Sequence, residues 1–204
     1  MTPEPPSAKW PILHPPVHAH QTRPRGVALA RDPYRLPDII GSMHERLAPD
    51  SRESTDLAMM RRALLAAEAA AERGEVPVGA VVARGEVVLA VAANERETVG
   101  DPTAHAELLA LRRAAAKLGG WRLTGCTLYA TLEPCPMCAG AAHAARISRL
   151  IYAAPDPKAG YAGTLHNVPA DPRLNHTIHV ESGVLEAESA ELLQEFFSAR
   201  RRRP

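Results

Sequence analysis

A chain of 204 residues has room for one globular domain of ordinary size, at roughly 100–200 residues per domain, and can bury a core without disulfide staples. Its 24 Lys and Arg against 23 Asp and Glu single out no polyanionic partner, and three cysteines do not make a secreted disulfide framework. No run reaches the roughly 18 apolar residues needed to span a bilayer, and the N-terminus lacks an apolar signal core, so a cytoplasmic protein without membrane contact is expected.

Residues 1–50 hold ten of the nineteen prolines, together with His14, His18, His20 and His44, and show no sustained period. Such a stretch offers too little apolar surface to offset the entropy of ordering, which predicts a disordered or extended segment preceding a domain over 51–204. From Asp56 the pattern turns regular. Leu57, Met60, Ala63, Leu64, Ala67 and Ala71 recur at threes and fours, predicting an amphipathic helix over 56–73 opened by an acidic cap at Asp56. Two β-rich runs, 79–84 and 86–93, flank Arg84-Gly85 and read as a hairpin. A helix over 104–118 is stopped by Gly119-Gly120, and 126–133 reads as a buried strand in which Cys126 is a small core residue. Helix 136–145, strand 148–154, an irregular Pro- and Gly-rich loop to 175, strand 177–182 and helix 187–201 complete the order. Helices alternating with strands in this way predict an α/β sandwich around a mixed sheet.

His105-Ala106-Glu107 and Pro134-Cys135-Pro136-Met137-Cys138 carry the chemistry. One imidazole and two thiolates suit zinc and leave its fourth tetrahedral position to water, whose pKa the metal lowers from about 15.7 toward about 7. Two thiolates cancel the dication's charge, so such a zinc acidifies water less than an all-imidazole site does. Glu107, not needed as a ligand, supplies the missing basicity by taking the proton and passing it on. Proline at a first helical position is tolerated, so Cys135 and Cys138 sit three apart at a helix start, where the macrodipole favours thiolates. One difficulty is local: with His105 in the first turn of a regular helix, a residue two positions on does not share its face. Alone, a C-x-x-C could be a redox pair or a buried helix start, and an H-x-E could be chance; together, in this order, they match the zinc deaminase pattern.

The wider sequence resembles the bacterial tRNA-specific adenosine deaminases from about Asp56 to Arg203. The likeness runs through Val76-Pro77-Val78-Gly79-Ala80, Asn94, Asp101 to Glu107, Thr131-Leu132-Glu133-Pro134-Cys135, Cys138-Ala139-Gly140-Ala141, Asn175-His176 and Phe196-Phe197. It implies a cytidine-deaminase-like three-layer α/β/α sandwich with a central mixed five-stranded sheet. It also implies one Zn2+ per subunit on His105, Cys135 and Cys138, catalysis by Glu107, and substrate contacts at Asn94, Ala104, Leu132, Asp156, Lys158, Phe197 and Arg200. The implied reaction is hydrolytic deamination of adenosine to inosine at the wobble position of a tRNA, an arginine tRNA, with the anticodon stem-loop lying across a homodimer.

Read from residues alone, Asn94 is a turn residue, and Phe196 and Phe197, adjacent on a helix, cannot both face inward. The closing run Arg200 to Arg203 is either a phosphate-attracting patch or a solvated tail. Glu133 competes with Glu107 for the chemistry, but an acid at a strand end more often bonds backbone N–H groups. Two departures from the family concern the loop: Ala154-Pro155-Asp156-Pro157 is stiffer than usual, and Tyr161 stands where a small residue is typical. Guanine deaminase, sharing the zinc chemistry and Pro136, is the nearest alternative; cytidine or deoxycytidylate deaminases and a non-catalytic zinc scaffold subunit follow.

Overall fold

A computed structural model describes residues 49–201; the Pro-rich segment up to residue 48 and Arg202 and Arg203 lie outside the described residues. Five strands form one sheet in the order β2-β1-β3-β4-β5. Strands β1 (Gly79–Arg84) and β2 (Val87–Ala93) make the expected antiparallel hairpin, β1 also pairs antiparallel with β3 (Thr127–Leu132), and β3, β4 (Arg149–Ala154) and β5 (His179–Ser182) run parallel. The sheet is therefore mixed.

Alternation along the strands sorts the core into two layers, because successive side chains of a strand point to opposite faces. Ala80, Val82, Leu128, Ala130, Leu150 and Tyr152 pack with Ala106, Ala110, Leu111 and Ala114 of α3 (Ala106–Leu118) and Ala142 of α4 (Pro136–Ala144). Val81, Ala83, Tyr129, Ile151 and Ala153 face the other way, onto Met59, Met60 and Ala63 of α1 (Pro49–Glu72). Helix α5 (Glu186–Arg201) lies against β3 and β4 and touches α1. The result is the predicted three-layer sandwich, each large buried apolar side chain contributing roughly 1.5–3 kcal/mol. Close approach is enforced at Gly79, where a Cβ would collide with the Ala63 carbonyl of α1.

Two expectations need correcting. Helix α1 starts at Pro49, seven residues before Asp56, so Asp56 caps nothing. Its buried carboxylate instead accepts from the Tyr129 hydroxyl (2.7 Å) and from both Nη atoms of Arg149 (3.2 and 2.8 Å), which also bonds Glu181. The opening turns of α1 were illegible because Arg52, Glu53 and Ser54 are exposed and present no apolar period. A four-residue helix, α2 (Arg96–Val99), also interrupts the stretch between β2 and α3 that the sequence left without an element.

Candidate active site

The site is built at two helix starts. His105 is the N-cap of α3, with extended backbone (φ −75°, ψ 146°), and its carbonyl accepts the Leu109 N–H at 3.0 Å. Lying outside the helix, it is freed from the 100° rotation per residue, so His105 and Glu107 both line one cleft despite being two apart. Cys135 caps α4 in the same way (φ −68°, ψ 173°), with Pro136 in the first turn and Cys138 one turn further in, fully buried.

Their donor atoms converge. His105 Nδ1 lies 3.7 Å from Cys135 Sγ and 3.6 Å from Cys138 Sγ, and all three ligand atoms fall within 4.8 Å of one another. Zinc bonds of about 2.3 Å to sulfur and about 2.0–2.1 Å to nitrogen at tetrahedral angles require an N···S separation of about 3.5 Å, so this donor set fits that ion. Proton balance points the same way. Cys135 is pulled down to about 4, first by the Cys138 thiol donating to it and then by His105. That contact, burial and the Glu107 carboxylate together push Cys138 far up. Glu107, only 4% exposed, is pushed above the usual carboxylate range by burial and by the Cys135 thiolate. A dication is the group that would let both sulfurs and the carboxylate ionise side by side.

The cleft has a volume of about 640 Å³, within the range of small-ligand sites. Of the substrate contacts expected from sequence, Asn94, Leu132, Asp156, Lys158 and Phe197 line it. Ala104 does not; its side chain is buried and its carbonyl accepts the Glu95 N–H at 3.0 Å. Arg200 does not either, because its guanidinium sits over the Phe196 ring, 5.2 Å from the centroid, and Arg201 lines the cleft instead. Helical phase explains both: Phe197 and Arg201 are four apart and share a face, and Phe196 and Arg200 share the next. Ser189 fixes that phase by donating its hydroxyl to the Thr131 carbonyl at 2.5 Å. Phe197 is 42% exposed, whereas Phe196 is half-buried and meets it edge-on.

Glu133 has a different occupation. Oε1 accepts the Ala162 and Thr164 N–H groups (3.0 and 2.9 Å), and Oε2 accepts the Asp156 N–H (3.0 Å) and the Thr164 hydroxyl. Burial alone would raise its pKa, but these donors outweigh it and hold the carboxyl below the usual range. The clamp fixes the loop that carries Asp156 and Lys158, and Gly160 is required there because a Cβ would strike the carboxylate. Asp156 Oδ1 closes the turn by accepting from Lys158 N–H (2.9 Å) and Ala159 N–H (3.2 Å).

Sequence reasoning missed Glu75 and Arg96. Arg96 lines the cleft from the start of α2. Glu75, fully buried behind Asn94, accepts the Asn94 amide and the Thr98 N–H. Neither stands in a period; the one available signal for Glu75 was its position just before Val76-Pro77-Val78-Gly79. Among the described residues no helix is long and apolar enough to cross a membrane.

Comparison with known proteins agrees with this geometry. The family described as MafB19-like deaminase matches residues 54–201. A Bacillus subtilis protein named tRNA-specific adenosine deaminase is 47% identical over 144 residues, 71% of this chain and 89% of that one. A solved structure from a study of A-to-I editing by tRNA:A34 deaminases superposes with a TM-score of 0.64 at 46% identity, covering 67% of this chain and 99% of the other. A guanine deaminase structure from Nitrosomonas europaea (TM-score 0.63, 24% identity, 79% of this chain and 100% of that one) shares the fold alone. The chain therefore belongs to the MafB19-like deaminase family, among its tRNA-specific adenosine deaminases.

Proposed function

We propose that this chain deaminates adenosine to inosine at the wobble position of a tRNA anticodon. The observation that carries the reading is Glu107 in a cleft lined also by His105 and Cys135, whose donor atoms meet that of buried Cys138, with Phe197, Arg96, Lys158 and Arg201 lining the same cleft. The names of the similar tRNA deaminases support the substrate.

His105, Cys135 and Cys138 would hold one zinc per subunit, and a bound zinc acidifies water and polarises it for attack. Glu107 accepts the attacking water's proton as oxygen bonds to C6 of adenine. The carboxyl hands that proton to N1 as the C6–O bond forms, so no full negative charge builds up on the ring during addition. As the C6–N6 bond breaks, Glu107 relays the proton of the new C6 hydroxyl to the departing amine, leaving the C6 carbonyl of inosine, so one water is consumed and one ammonia released.

Reaching the zinc requires the base to leave its stack, which costs least in a single-stranded loop. Exposed Phe197 offers a face for stacking, and Arg96, Lys158 and Arg201, all exposed, suit flanking phosphates. We assign the homodimer, with the anticodon loop across both subunits, and an arginine tRNA as substrate to the same reading, along with a cytoplasmic location.

Purified protein incubated in parallel with an anticodon stem-loop bearing a wobble adenosine, with free guanine and with cytidine tests this directly. Inosine is expected. Xanthine or uridine in its place would transfer the site to a base or nucleoside deaminase, and no product from any substrate would leave a zinc-binding scaffold.

A further inference from the structure

Glu75 and Asn94 form a buried pair at the cleft to which the mechanism above gives no work. Glu75 lies in the turn between α1 and β1, is 0% exposed, and uses both carboxylate oxygens: Oε2 accepts Asn94 Nδ2–H at 3.0 Å and Oε1 accepts the Thr98 N–H at 2.6 Å. Burial opposes its ionisation, but the Thr98 donors outweigh it and hold the carboxyl below the usual range. An ionised carboxylate only accepts. The Asn94 amide must therefore present its NH2 to Glu75, since the flipped amide would set Oδ1 against a carboxylate oxygen. Asn94 is itself 5% exposed and lines the cleft, and no donor among the described residues is bonded to its Oδ1. The cleft thus holds an acceptor whose orientation is fixed by a charge behind it.

A fixed acceptor selects a donor. Resting on the reading that the substrate is an adenosine inside an RNA loop, the choice is short. N1, N3 and N7 of adenine are acceptors, and the 3′ and 5′ oxygens are esterified. The N6 amine is the group that leaves, at Glu107. The 2′-hydroxyl remains, and it is the group that distinguishes RNA from DNA at a site. We infer that Glu75 is a positioning residue that locks the Asn94 amide so that Oδ1 accepts from the ribose 2′-hydroxyl of the target nucleotide, making this site a reader of the sugar as well as the base.

The test compares two stem-loops that differ only in having adenosine or 2′-deoxyadenosine at the target, under single turnover, with wild-type and Glu75→Gln protein. Wild type should favour the ribose substrate by about tenfold or more, the worth of a well-placed hydrogen bond. In E75Q the side chain can donate or accept, so the amide is no longer held; the ribose rate should fall about tenfold while the deoxy rate changes by less than about twofold. Asn94→Ala should collapse the preference in the same way, and adding E75Q to it should cost nothing further, which keeps the test open if E75Q alone folds poorly. Equal rates of wild type on both substrates, or equal slowing of both by E75Q, overturns the inference while leaving the adenosine reading intact. Absence of inosine from both in wild type overturns that reading and the inference with it.

Discussion

Glu107 and Glu133 are both buried glutamates lining the cleft, yet their surroundings treat them oppositely. Four donors converge on Glu133 and hold it ionised, whereas burial and a neighbouring thiolate push Glu107 up. A carboxylate saturated by backbone N–H groups has no capacity left for a proton in transit. One that is crowded by negative charge and desolvated has a proton affinity that the reaction can use. The two acids thus differ in the number of donors supplied to each, and that contrast supports Glu107 over Glu133 as the proposed proton carrier.

Exchanging the two roles gives the largest expected effect. Glu107→Ala should lower inosine formation by about 10²–10⁴, the range of general acid–base catalysis, with metal content and melting temperature unchanged. Turnover within tenfold of wild type would remove Glu107 from the mechanism. Glu133→Gln should behave inversely: an amide set against N–H donors should cost about 1–3 kcal/mol in urea unfolding and raise KM for the stem-loop more than it lowers kcat. Because the Glu133 carboxyl is held down in the folded state, its contribution is complete above the ordinary glutamate range and lost as pH falls through the folded value. Wild type should therefore lose this increment on acidification and E133Q should not. A purely catalytic defect in E133Q would erase the distinction.

Smaller effects sharpen the same division along α5. Phe197→Ala should raise KM by about tenfold or more, as loss of one stacking partner costs about 1–3 kcal/mol, and Phe196→Ala should do so much less. Smallest is Arg201→Ala, which should weaken binding uniformly and reduce the salt dependence of affinity by about one ion, while Arg200→Ala, its cation over Phe196, should leave that slope alone. A larger change from R200A than from R201A would reverse the helical phase described here.

The chemistry was legible because its spacing is local: C-x-x-C at a proline-marked helix start and H-x-E thirty residues earlier declare themselves in a few positions each. The sheet was legible for a similar reason, since strand alternation is a short-range pattern. What escaped depends on distant partners. Asp56 looked like a cap because its true partners, Tyr129 and Arg149, lie 73 and 93 residues away. Glu75 drew no reading at all because its role depends on Asn94 and Thr98, 19 and 23 residues away. The H-x-E difficulty dissolved only when His105 proved to stand outside the helix, a matter of one residue's ψ. Arg200 differs in kind: it lies over Phe196, and counting four residues on from Phe197 leads to Arg201, which lines the cleft.

The catalytic expectations depend on one metal held by His105, Cys135 and Cys138. Elemental analysis of purified protein, run beside the inosine assay on wild type and on Cys135→Ala, is the most direct test. One zinc per chain in active wild type, with metal and activity both lost in C135A, is the predicted result. Full activity in protein with no bound zinc, or undiminished zinc and turnover in C135A, would contradict it.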